Sequence, residues 1–165
     1  MIKSDDFYML GAPRNGTRIV YEKCAGLALV LEGSPYFWMF SKTGQAHSFI
    51  FPAGRIKICN NFPETDLEAA LRETHEEFFI ENNPTKFSLN SFQDAVREEA
   101  HFSDETSYKT TQYFGAFAKP ERKNLILPNT RLARAISFTE SKTFAQPKLQ
   151  PLITKYLTFL QERHE

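Results

Sequence analysis

Apolar residues in this chain come in short runs separated by polar breaks, and their spacing predicts strands first. Residues 7–10 (Phe-Tyr-Met-Leu) and 17–21 (Thr-Arg-Ile-Val-Tyr) read as short strands, with a turn at Pro13-Arg14-Asn15-Gly16 between them. Segment 1–21 is thus expected to be an N-terminal hairpin extension. The unbroken run 24–31 (Cys-Ala-Gly-Leu-Ala-Leu-Val-Leu) suits a strand buried on both faces, and Gly33-Ser34-Pro35 ends it. Residues 36–41 and 48–51, both rich in aromatics, predict two further strands, the second closed by Pro52-Ala53-Gly54. Residues 111–118 and 135–138 predict two more, and the polar stretch 97–107 reads as a loop.

A helical period replaces the strand pattern over 66–81. Leu67, Ala70, Leu71, Thr74 and Phe78 recur on one face and define the expected buried stripe. Thr65 precedes the helix and Glu68 follows three residues later, the capping-box arrangement. Asn82-Asn83-Pro84 is the stop signal. A second amphipathic helix is expected over 148–163. Two helices far apart in sequence, set among strands, predict an α/β class in which both pack on one mixed sheet.

Composition narrows the choice. The 165 residues suit a single domain, 1–165, and 16 Phe with 6 Tyr supply enough apolar area to exclude disorder for the bulk of the chain. The formal net charge is zero, which argues against a long nucleic acid as partner, since that role needs surplus Lys and Arg. Cys24 and Cys59 make neither a disulfide framework nor a zinc pair. No apolar run of membrane-spanning length occurs, and the first residues lack the basic and apolar parts of a leader. A cytoplasmic, membrane-free setting is the expectation, and a homodimer is compatible with it.

The total of zero hides an uneven distribution. From Glu64 to Glu81 seven acids face one base, Arg72, a net of −6, so the remaining chain carries +6. Lys119, Arg122, Lys123, Arg131 and Arg134 belong to that positive balance. Within the acidic segment, Glu73, Glu76 and Glu77 stand at i, i+3 and i+4 and share one sector of the helix, away from the apolar stripe. Ala69 lies in the same sector a turn earlier, leaving room for something to approach. Carboxylates without Cys or His partners select Mg²⁺, Mn²⁺ or Ca²⁺ over zinc. The bland alternative is a solvated acidic face. Arg72 beside the cluster, able to grip a carboxylate with two bonds, and Gly54 at the strand exit before it weigh against that alternative. His75 falls off the carboxylate sector and reads as surface.

These residues resemble the signature of the Nudix hydrolases, G-x5-E-x7-R-E-U-x-E-E-x-G-U, with U a bulky aliphatic. Glu64, Arg72, Glu73, Glu76, Glu77 and Ile80 stand at the required spacing, and Phe-Pro-x-Gly at 51–54 precedes them. Nine residues instead of five separate Gly54 from Glu64, an apparent insertion of four. Phe79 replaces the second Gly, read as a displaced helix cap, and Thr74 replaces the aliphatic residue. The resemblance implies a Nudix-type α/β/α sandwich: a mixed β-sheet with the signature helix and a C-terminal helix packed on it. It further implies hydrolysis of a pyrophosphate bond in a nucleoside diphosphate linked to another group X, a small phosphorylated nucleotide substrate, and Mg²⁺ or Mn²⁺ as cofactor. By similarity Glu73, Glu77 and Glu76 are the metal ligands, with the Gly54 carbonyl as a further one. Arg72 orients a signature carboxylate, Glu64 included.

Three further expectations go with it. Arg55 and Lys57, on the loop after Gly54, are candidates for substrate phosphate, against the plainer reading of two exposed cations. Glu98 or Glu99, in the polar 97–107 segment, is the candidate distant general base, against a merely solvated loop. Residues that mark subfamilies are absent: Asp94 and Ala95 stand where diadenosine polyphosphate and ADP-ribose types carry Tyr or Pro, and Ala53 where several dinucleoside polyphosphate hydrolases carry Lys. A Nudix-like module that binds a nucleotide without cleaving it is the competing class.

Overall fold

A computed structural model describes residues 8–14, 17–59, 61–78, 84–127 and 131–163. In chain order the strands are β1 (Tyr8–Arg14), β2 (Thr17–Leu31), β3 (Tyr36–Ser41), β4 (Ala53–Arg55), β5 (Ile58–Cys59), β6 (Phe62–Pro63), β7 (Thr85–His101), β8 (Glu105–Pro120), β9 (Leu125–Ile126) and β10 (Leu132–Ser137). The helices are α1 (Asp66–Phe78), α2 (Ser141–Phe144) and α3 (Gln150–Arg163), with a 3₁₀ turn at Pro147–Leu149.

The axis of the sheet is β2. Every residue from Cys24 to Leu31 is buried, as an uninterrupted apolar run requires when both faces are covered. Along one side β2 runs parallel to β8, from Arg18 opposite Glu105 to Leu31 opposite Ala118. Its other side is shared by three antiparallel partners: β1 near the start, β4 at Cys24–Gly26 and β3 at Val30. Outside these lie β7 on β8, and β10 then β9 beyond β3. The sheet is therefore mixed.

Neighbouring residues of β3 locate the helices. Trp38 stacks on Phe78 of α1 with ring centroids 4.2 Å apart, whereas Phe37 meets Tyr156 of α3 at 6.0 Å. Successive strand residues face opposite ways, so α1 and α3 cover opposite faces and the architecture is an α/β/α sandwich. No described helix is long and apolar enough to cross a membrane.

Several expectations change. Segments 17–21 and 24–31 are one strand, since the charged Glu22 and Lys23 lie in the half that leaves the core. Residues 48–51 form no strand: Ile50 bridges Phe40 on one side and Phe49 bridges Ala145 on the other. The turn expected at 52–54 instead leads into β4. The stretch 97–107 is the far ends of β7 and β8 joined by a short connection at 102–104, and β7 itself has no counterpart in the strand pattern read from sequence. A register slip between Leu89 and Gln93, with Ser91 at φ 73°, moves the inward-facing positions from odd numbers (Thr85 and Phe87, half-buried) to even ones (Asn90, Phe92 and Val96, buried). That slip erases the two-residue period on which strand recognition depends. On α1 the buried residues are Ala69, Ala70, Thr74 and Phe78. Ala69 is thus packed rather than open, and Leu67 and Leu71 are only half-buried. The turn at Asn15-Gly16, the replacement at Phe79, Ile80 and the Asn82-Asn83 stop lie outside the described residues.

Candidate active site

Two glycines bring α1 against the sheet. A Cβ on Gly26 would stand 2.4 Å from the Pro52 carbonyl oxygen, so only glycine lets β4 join β2 there. A Cβ on Gly54, opposite Ala25, would stand 2.1 Å from the carboxyl carbon of Glu73. Ala69, one turn before Glu73, is small enough for the helix to approach this closely. The Gly54 backbone and the Glu73 carboxylate are therefore in direct apposition.

Arg72 organises the acids around that contact. Its Nε and Nη2 donate to the two oxygens of Glu64, both at 2.9 Å, in a fork-to-fork pair. Nη1 donates to Glu73 at 2.8 Å and to Glu76 at 3.1 Å, and Nη2 also reaches the Arg55 carbonyl at 2.8 Å. One guanidinium thus gathers three of the predicted carboxylates and the loop after Gly54. Glu77 is turned elsewhere, into an ion pair with Arg131 at the mouth of β10. Of the basic residues noted at a distance in sequence, Arg131 is seen to meet the acidic helix.

The electrostatics follow from these contacts. The Arg72 guanidinium holds the Glu64 carboxyl below the usual carboxylate range, helped by the Lys57 backbone N–H. Burial pushes Glu73 up, and its bond to Arg72 offsets only part of that; Glu76 and Glu77 push the same way. The carboxylates in turn push Arg72 up, Glu64 most.

The four extra residues before Glu64 do not disturb it. The chain folds back as the β5–β6 hairpin, Ile58 opposite Pro63 and Cys59 opposite Phe62. Two bonds close its base: the Glu64 N–H donates to the Lys57 carbonyl at 2.8 Å, and the Lys57 N–H donates to Glu64 Oε1 at 2.9 Å. The insertion is pinched off, and Glu64 returns beside Arg72. The capping box forms as expected, with Glu68 N–H on Thr65 Oγ1 at 3.1 Å and Thr65 N–H on Glu68 at 3.0 Å.

On the opposite face of the sheet, Gly54 borders a narrow cleft of about 90 Å³, lined also by Cys24, Lys109, Thr111, Tyr113 and Lys148. Lys109, Thr111 and Tyr113 alternate along β8, a period-2 signal present in the sequence. Lys148 comes from the far turn before α3 and has no such signal. Glu98 stands opposite Lys109 in register and pairs with Lys148 at 3.3 Å, which places it at this cleft. Glu99 faces the other way, paired with His101 at 3.1 Å. Arg55 binds Glu22 at 2.6 Å, and Lys57 is half-buried beside Glu64. Burial pushes the Cys24 thiol up to about 12, which makes it inert at neutral pH. Two roomier hollows, about 450 Å³ and 520 Å³, lie at the other end of β2 and along β9–β10. They are larger, but they hold none of the candidate site carboxylates and so are not where the chemistry is concentrated.

Among the described residues no three His, Cys, Asp or Glu side chains converge as a ready metal cage. The donor chemistry nonetheless fits a hard cation: three carboxylates and a glycine carbonyl, all oxygen. Guanidinium groups already stand where positive charge is wanted, Arg72 against Glu73 and Glu76, and Arg131 against Glu77.

No protein-family model matches the chain, and no curated protein matches it. Solved structures do. A C. elegans Ap4A hydrolase in a binary complex superposes with a TM-score of 0.62 at 21% identity, covering 86% of this chain and 98% of that one. A second structure of C. elegans Ap4A hydrolase gives 0.57 at 22% identity, covering 85% and 98%. At such identity the likeness is one of fold, the Nudix-type α/β/α sandwich.

Proposed function

We propose that the chain is a metal-dependent pyrophosphohydrolase of the Nudix type. It would cleave a pyrophosphate bond in a nucleoside diphosphate linked to a group X: a nucleotide sugar, a dinucleoside polyphosphate or a nucleoside triphosphate. The observation that carries this reading is the Arg72 fork, which binds Glu64, Glu73 and Glu76 at 2.8–3.1 Å beside Gly54 of β4. A solvated acidic face has no use for an arginine shared by three carboxylates.

Glu73, Glu76, Glu77 and the Gly54 carbonyl are the groups that would hold Mg²⁺ or Mn²⁺. Such an ion neutralises phosphate charge and lowers the pKa of an attacking water. Arg72 is a positioning residue: by tying Glu64 to Glu73 it keeps the helix and the glycine strand in register. Lys109 and Lys148 present positive charge in the cleft behind Gly54, suited to a phosphate. Of the two candidate bases we assign Glu98, because it faces that cleft and Glu99 does not. Arg55 and Lys57 remain candidates for phosphate contact at its edge. The fold shared with Ap4A hydrolases supports a dinucleoside polyphosphate as one choice of X, although Ala53 and Asp94 are not the residues that mark that subfamily.

The test is turnover of a nucleotide panel with Mg²⁺ or Mn²⁺ by wild type and Glu77→Gln. A loss of at least about a hundredfold is expected, the usual cost of disturbing a metal ligand set. Equal turnover by the two proteins would sink the assignment. The Glu77–Arg131 pair favours one second reading, a module that binds a nucleotide without cleaving it. Calorimetry that records nucleotide binding in a protein with no turnover at any metal concentration would select it.

A further inference from the structure

Among the described residues, Glu77 is the candidate ligand seen neutralised by a residue from outside the acidic segment. Arg131 lies 54 residues away in sequence, and the paired side chains are each 20% exposed. The guanidinium carbon stands 4.9 Å above the ring of Phe40, itself packed edge-on against Phe78, the residue after Glu77. The arginine is thus held over a buried aromatic surface rather than laid on solvent. Its Nε is buried and has no hydrogen-bond partner among the described residues. An arginine with an unsatisfied buried donor is poorly matched to its place, and its hold there comes from Glu77 and Phe40.

Arg72 is different in kind. Its donors are spread over Glu64, Glu73, Glu76 and a backbone carbonyl, so giving up any one bond leaves the others. Arg131 and a divalent cation, by contrast, compete for the same Glu77 carboxylate, and like charges resist being crowded there together.

We propose that Arg131 is an internal competitor for the divalent cation: it occupies Glu77 in the metal-free protein and must be displaced when metal binds. This rests on the metal-dependent reading of the site. Arg131 then sets the metal concentration at which the site fills, independently of the chemistry that follows.

The test is Mn²⁺ binding by calorimetry and by electron paramagnetic resonance, without nucleotide, on wild type, Arg131→Gln, Glu77→Gln and the double variant. Arg131→Gln should bind Mn²⁺ about tenfold tighter than wild type, and Glu77→Gln should abolish that gain. Arg131→Lys keeps the charge without the planar fork and should tighten binding about threefold; it decides the matter if the Gln variant does not fold. Wild-type affinity in both Arg131 variants, or a gain that persists without Glu77, would overturn the proposal while leaving the metal site standing. No Mn²⁺ binding by wild type or by either Arg131 variant would overturn the metal-dependent reading itself, and this proposal with it.

Discussion

Glu64 and Glu73 are bonded to one guanidinium that pulls both down, yet their net shifts are opposite, because burial outweighs Arg72 at Glu73. Glu64 is held low by Arg72, so its contribution to stability is complete above the ordinary carboxylate value and is lost as pH falls through the lowered folded one. Glu73 is pushed up by burial, so the folded state favours its protonated form; stability from it is present below the unfolded value and is lost as pH rises through the folded one. Replacing Glu64 by Gln should therefore cost about 2 kcal/mol at pH 7, the scale of a charge-assisted hydrogen bond. The difference from wild type should shrink toward pH 3. Denaturant unfolding at the two pH values measures it, and an unchanged difference would mean the pair does not titrate as described.

At the level of elements, the site depends on how closely β4 can approach its two neighbours. The two glycines that allow this differ in what obstructs a side chain. At Gly26 the obstacle is the Pro52 carbonyl and the Ala53 backbone, which cannot move alone. Gly26→Ala should cost about 3 kcal/mol by forcing β4 off β2. At Gly54 the obstacle is the end of the Glu73 side chain, which can swing aside. Gly54→Ala should cost only about 1 kcal/mol but displace Glu73 and weaken Mn²⁺ binding. Thermal melts paired with metal titrations separate the two effects. The same scale explains an omission in the strand pattern. β7 is long, but its slip at Ser91 breaks the alternation that would have revealed it, whereas α1 carries period, cap and spacing in one continuous segment.

For the whole molecule, the slip in β7 is where the C-terminal helix is fastened. Asn90, 1% exposed, donates to the Tyr156 hydroxyl at 2.7 Å and accepts from the Phe92 N–H at 3.2 Å. Its carbonyl takes Arg163 Nη1 at 2.9 Å, and Tyr156 stacks flat on Phe92 at 4.3 Å. Burial pushes the Tyr156 hydroxyl up to about 12, so it stays a neutral hydrogen-bonding group throughout the physiological range. Asn90→Ala would leave that hydroxyl without its donor and should cost about 2 kcal/mol. Mn²⁺ affinity should be unchanged, because α3 lies across the sheet from α1. A parallel loss of metal binding would show that the two faces are coupled.

What the sequence determined by itself is whatever lies within one segment. The capping box at Thr65 and Glu68, the spacing of Glu64, Arg72, Glu73, Glu76 and Glu77, and the apolar run of β2 are set by local periods, which a short stretch of chain expresses before it meets the rest. The sandwich could be inferred because two distant helices among strands have few ways to bury their apolar faces. Only the tertiary structure decided which residues from elsewhere meet that segment. The pairing of Glu77 with Arg131, the placing of Glu98 but not Glu99 at the cleft, and the pairing of β5 with β6 depend on strand register and on chain crossings. No local pattern encodes these. The zero net charge is an example of both: sequence shows an acidic segment and a compensating remainder, and folding brings Arg131 from that remainder against Glu77 and Lys23 against Asp66.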